Sequence, residues 1–107
     1  MTLTQLQENT QQIATTIGEQ LTHSKNPMNR LKAMIGAKDI FALGNGLSFK
    51  YPRGKYVKII LNSNDTYDME FSNIRGLKQT IKQTYEGVYA EDLKKTFEDY
   101  TGLYLSL

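Results

Sequence analysis

From Asp39 to Phe71 apolar and polar residues alternate through four runs, separated by Gly44-Asn45-Gly46, Arg53-Gly54-Lys55 and Ser63-Asn64-Asp65. Alternation with period two marks strands with one buried face, and the separators have turn chemistry. Taking each separator as a three-residue hairpin loop opposes Phe41 with Phe49, Tyr51 with Val57, Phe49 with Ile59, Leu47 with Leu61, Leu61 with Tyr67 and Ile59 with Met69. All of these positions are apolar or aromatic, and a slip of one residue would turn a strand inside out. The opposite face then carries Lys50, Lys58 and Glu70 in one row. Directly opposed like charges cost a few tenths to about 1 kcal/mol in a sheet. Glu70 can neutralise Lys58, which leaves Lys50 without a counter-ion in that row and hints at an anionic ligand.

Ahead of the strands, Leu3, Leu6, Ile13, Ile17 and Leu21, with Thr10 filling the gap, draw a narrow helical stripe over about residues 2–21. Thr2 and Gln5 can form a capping box, and Gly18 weakens the helix towards its end. So thin a stripe suits either a peripheral helix on its own domain or an arm used for self-contact. Residues 1–24 are therefore read as an N-terminal helical arm and residues 25–107 as one domain. Asn26 before Pro27 reads as an N-cap with proline at the first helical position, and Met28, Leu31, Met34 and Ile35 give this short helix a buried side before Gly36 ends it.

After a turn at residues 73–76, Leu77, Ile81 and Tyr85 fit a helix at spacing four and a strand at alternate positions. The content of Thr80, Ile81, Thr84 and Tyr85 favours a fifth strand. That strand would set Lys78 beside Glu70 and Leu77 beside Phe71. Tyr89, Leu93, Phe97 and Tyr100 line one side of a helix over about residues 89–101, capped by Gly102, and Leu103, Leu105 and Leu107 alternate as in a short edge strand. The expected fold class is α+β. An antiparallel meander of four or five strands is covered on one face by the N-terminal, second and C-terminal helices.

Composition narrows the function classes. A chain of 107 residues, 39% hydrophobic and 22% charged, holds one ordinary core. It has no cysteine, which removes disulfides, thiolate metal sites and a cysteine nucleophile, and fits a reducing compartment. It has no apolar run of about 18 residues and no signal-peptide pattern at its start, so no membrane partner and a cytoplasmic location are expected. The net charge of +2 is too small to announce a nucleic-acid binder by itself.

Candidate catalytic groups are few, and neither an enzyme nor a cofactor is expected. His23 is the one histidine and lies in a polar connector. A triad needs a nucleophile beside an oriented base. Gly44-Asn45-Gly46 joins two strands and opens no helix, unlike a phosphate-cradling loop. Asp65, Asp68 and Glu70 could gather on a hard cation. Asp68 and Glu70 nevertheless alternate with Tyr67, Met69 and Phe71, as on a half-exposed strand.

The segment Lys50-Tyr51-Pro52-Arg53-Gly54-Lys55-Tyr56-Val57-Lys58 places four cations and no acid across a hairpin tip. Such groups can neutralise phosphates, and an exposed aromatic can stack on bases. The alternative is a lysine-decorated hairpin that resists edge-to-edge pairing. Lys50, Arg53, Lys55, Tyr56 and Lys58, with Lys78, form the candidate contact set for DNA or RNA, Tyr56 as the stacking group. Arg75 and Lys82 would extend it through the fifth strand.

Gly46-Leu47-Ser48-Phe49, Tyr56 to Leu61 leading into Asp65-Thr66-Tyr67-Asp68, Val88 to Leu93 and Thr101 to Leu107 together resemble a group of small uncharacterised proteins of tailed bacteriophages and prophages. The likeness covers about residues 33–107 and carries no catalytic assignment. It implies a viral accessory protein made in a bacterial host cytoplasm. Two roles follow from it: contact with nucleic acid, or binding and inhibition of a host protein. The N-terminal helix lies outside the likeness, and docking or homodimerisation through it is expected from its own thin stripe.

Overall fold

Residues 38–88 form one antiparallel sheet whose five strands lie in chain order: β1 (Lys38–Leu43), β2 (Gly46–Tyr51), β3 (Lys55–Leu61), β4 (Tyr67–Arg75) and β5 (Lys78–Val88). Helices α1 (Leu3–Thr22) and α2 (Pro27–Ile35) precede it, and a single 3-10 turn (Ala90–Asp92) leads into α3 (Leu93–Thr101). The computed structural model describes the backbone of residues 3–105 and the side chains of residues 11–105. The capping box of Thr2 and Gln5, the stripe side chains Leu3, Leu6 and Thr10, and the tail positions Ser106 and Leu107 lie outside those described residues.

The α+β architecture follows from one apolar sheet face meeting three amphipathic helices. Leu47, Phe49, Val57, Ile59, Met69 and Phe71 cluster with Ala14, Ile17 and Leu21 of α1, Leu31 and Ile35 of α2, and Leu93 and Phe97 of α3. The described half of the N-terminal stripe is thus part of the domain's own core. Gly18 has a packing role there, since a β-carbon at that position would stand 2.7 Å from Pro27 Cβ where α2 begins. Gly36 and Gly102 end α2 and α3 in the left-handed conformation at φ 64 and 74. Asn26 occupies the N-cap of α2 but makes no side-chain cap bond.

The β3–β4 register is the expected one, with Ile59 opposite Met69 and Leu61 opposite Tyr67. Two other pairings differ. Leu47 faces Ile59, Phe49 faces Val57 and Tyr51 faces Lys55, because the β2–β3 loop is Pro52-Arg53-Gly54 and Lys55 already belongs to the strand. Shifting by two residues preserves the buried face. In β1 the tighter Gly44-Asn45 turn and an irregularity between Lys38 and Phe41 set Phe41 opposite Ser48, so Phe41 points outward and is exposed while Ile40 and Ala42 pack inward.

These registers remove the expected cation row. Lys50 lies opposite Lys38 and Tyr56, and its ammonium is 3.2 Å from the Asp39 carboxylate, so it does have a counter-ion. Lys58 lies opposite Ser48 and Glu70 and approaches the Glu70 carboxylate at 3.8 Å. The fifth strand forms, but Glu70 faces Thr84 and Phe71 faces Gln83, while Lys78 pairs with Arg75 at the far end and Leu77 sits in the turn. Tyr89 precedes the helix and is exposed, and Ile81 is also largely exposed. No strand forms over the described tail; Leu105 is buried instead, its N–H donating to Glu98 Oε2 at 2.8 Å.

Candidate nucleic-acid interface

An antiparallel meander sends alternate connections to the same end of the sheet. Here the start of β1, the β2–β3 turn and the β4–β5 turn share one end, and each carries cations. In the β2–β3 turn the proline ring of Pro52 presets its own φ, while Arg53 and Gly54 take left-handed values of 69 and 71. Such a φ is uncommon for a residue with a β-carbon. A β-carbon on Gly54 would stand 2.7 Å from Ile74 O, and the Ile74 N–H donates to Gly54 O at 2.6 Å. The β2–β3 turn is thereby tied by its backbone to β4, just before the second turn.

Two grooves flank this tie. The first, of about 350 Å³, is lined by Lys38, Lys50, Arg53 and Lys55 together with Gly36, Tyr51, Pro52, Gly54 and Ile74. The second, of about 390 Å³, is lined by Arg53, Arg75, Lys78 and Lys82 with Gly54, Asn73, Ile74 and Thr80. Arg53 belongs to both. Among the described residues no Asp or Glu lines either groove, and the nearby Asp39 is engaged with Lys50. Lys55 Nζ donates to Asn73 Oδ1 at 3.0 Å, which steadies one cation between β3 and β4.

Of the residues singled out from the sequence, Lys50, Arg53, Lys55 and Lys78 converge on these grooves. Tyr56 and Lys58 do not line them. Tyr56 is half-buried on the uncovered sheet face between Lys50 and Ser72, and Lys58 lies further along that face with Glu70. Arg75 and Lys82 join the site as the fifth strand implied. Lys38 is an addition, since its place opposite Lys50 depends on the irregularity in β1.

Other candidates have structural surroundings. Asp68 Oδ1 accepts from Asn62 Nδ2 at 3.1 Å and from the Gly87 N–H at 3.1 Å, which closes the opposite end of the sheet. His23 is exposed in the connector at φ 54.

Tyr51 is a buried residue lining the first groove, and its phenol is pushed from its ordinary value near 10 up to about 12, first by burial and then by the Tyr100 hydroxyl. Burial also raises Tyr67, against a hydrogen bond from Gln20. A raised phenol holds its proton more tightly folded than unfolded, so this contribution to stability is complete below about pH 10 and fades as the pH climbs towards about 12. Urea midpoints across that window are expected to fall further for the native chain than for Tyr51→Phe. Equal slopes would contradict the assignment.

Comparison with protein families, curated proteins and solved structures finds no match to this chain. The functional reading therefore rests on its own residues.

Proposed function

We propose that this protein is a non-enzymatic binding protein that holds the phosphate backbone of DNA or RNA at the basic end of its sheet. The observation that carries the reading is the pair of adjoining grooves, free of carboxylates among the described residues and joined through Arg53. Guanidinium groups can take phosphate oxygens two at a time, and lysines add point charge. Recruiting several such groups releases condensed counter-ions, which makes binding strongly salt-dependent. Tyr56 lies outside the grooves but directly opposite Lys50, and is the group placed to stack a base beside them. A role as an accessory protein of a bacteriophage, which the family resemblance implies, is compatible with this chemistry.

Fluorescence anisotropy of labelled single- and double-stranded DNA and RNA, at low and near-physiological salt, tests the reading. Arg53→Ala with Arg75→Ala is expected to weaken binding about 10- to 100-fold and to lower the salt slope by about two, one for each phosphate that no longer meets a guanidinium. The urea midpoint is expected to stay put, because both side chains are exposed. Absence of binding at low salt would overturn the reading.

A protein partner, such as a host factor, is the second reading. Phe41 and Ile81 are 59% and 57% exposed on the uncovered sheet face and favour it. Homodimerisation through the N-terminal stripe would compete with folding, because Ile17 and Leu21 are already in the core.

A further inference from the structure

We propose that Leu77 is a wedge that enters the base stack of the bound nucleic acid while the cations around it hold the backbone; this rests on the reading just given. Leu77 has a relative exposure of 108%, the highest of the exposed large apolar side chains among the described residues. Core packing therefore does not explain it. Nor does the turn: Arg75 and Lys78 are paired, and the two-residue link between them has Gly76 at φ 61 in its first position. Glycine there is what a type II′ turn requires, and the second position accepts most residues, polar ones included. A leucine left in water forgoes about 1.5–3 kcal/mol of burial.

Its setting indicates what would bury it. Arg75 and Lys78, two residues before it and one after, line the second groove beside Arg53 and Lys82. β3 reaches β4 only as far as the Lys55–Asn73 pair, so the Arg75–Lys78 pair and its turn extend past the neighbouring strand. The result is a projecting apolar tip immediately flanked by cations. Basic proteins that bind the DNA minor groove often push one leucine, isoleucine, methionine or phenylalanine between base steps, and unstack them. An anionic lipid surface shares part of this chemistry. One leucine supplies only about 1.5–3 kcal/mol, however, and stable membrane attachment needs a larger apolar face. A wedge needs a single side chain, because the phosphate contacts carry most of the affinity.

The test uses the intact protein and oligonucleotides carrying 2-aminopurine, whose fluorescence rises on unstacking. The native chain is expected to raise the signal on binding. Because unstacking a base step costs a few kcal/mol and so consumes most of what burying the leucine gains, Leu77→Ser is expected to bind within about 5-fold, to keep the same melting temperature, and to lose the rise, with Leu77→Met restoring it. An equal rise with Leu77→Ser, or binding by the native chain without any rise, would overturn the wedge and leave the phosphate-binding reading intact. Failure of the native chain to bind any nucleic acid would overturn both. Leu77-dependent binding to phosphatidylserine–phosphatidylcholine vesicles, with no 2-aminopurine response, would reassign the tip to a lipid surface.

Discussion

Phe97→Ala is expected to remove about 3–5 kcal/mol of folding stability, the range for deleting a buried phenyl ring. Small domains hold only about 5–15 kcal/mol in all, so a fifth or more of the total is at stake. The reason is where α3 places the ring. Phe97 is fully buried, with its centroid 6.0 Å from Phe49, 5.7 Å from Tyr51 and 6.0 Å from Phe71. Tilted and edge-on contacts of this kind add to the burial itself. One side chain therefore fastens the C-terminal helix to β2 and β4 together. Urea denaturation at fixed pH reads the loss, and Phe97→Leu, which keeps most of the volume, should lose markedly less. A loss below about 1 kcal/mol for Phe97→Ala would mean that α3 is held elsewhere. The functional contrast is direct: Phe97→Ala should impair binding only as far as it unfolds the chain, whereas the double arginine variant should impair binding in a fully folded one.

How far the pattern of residues foretells the site depends on what alternation can encode. Period-two patterning determines which face of a strand is buried and cannot distinguish registers two residues apart. In β3 and β4 the turn at Ser63-Asn64-Asp65 settles that remaining choice, and the pairing is the expected one. Between β2 and β3 the segment Pro52-Arg53-Gly54-Lys55 allows two three-residue loops of the same parity. The observed one moves Lys50 out of the Lys58 row. In β1 the alternation expected from Asp39 onward breaks down, because Ile40-Phe41-Ala42-Leu43 is apolar throughout, and nothing local foretells that the large ring of Phe41 faces water and Ala42 faces the core. The basic segment at the hairpin tip stands out in the chain. Its meeting with Arg75, Lys78 and Lys82 depends on which turns share an end of the sheet, a property of the whole meander. Leu77 is hidden for a related reason: as one of three residues at spacing four it reads as core, and only the turn that holds it reveals its exposure.

Gly46→Ala is expected to cost about 3 kcal/mol, at the upper end for overpacking, from the addition of one methyl group. Gly46 lies at the start of β2, opposite Ile60, and is buried. A β-carbon there would collide with Ile59 O and stand 3.0 Å from Ile59 C and 2.8 Å from Ile60 Cδ1. The Ile60 methyl can swing aside, but the Ile59 carbonyl belongs to the ladder. Relief therefore demands that β2 and β3 separate, which also strains the nearby bond from the Leu61 N–H to Asn45 O at 2.8 Å. Gly46 has no positive φ, so the effect is steric and not one of backbone conformation. Gly44→Ala is the matched control: a β-carbon there meets nothing within 4 Å, and a change within about 0.5 kcal/mol is expected. Hydrogen exchange should show protection at Leu61 falling first in Gly46→Ala. Because Gly46 and the basic grooves lie at opposite ends of β2, the folded fraction of this variant should retain the native salt slope for nucleic acid. A reduced slope in that fraction would mean that the register at Gly46 also sets the groove, making fold and site inseparable along this strand.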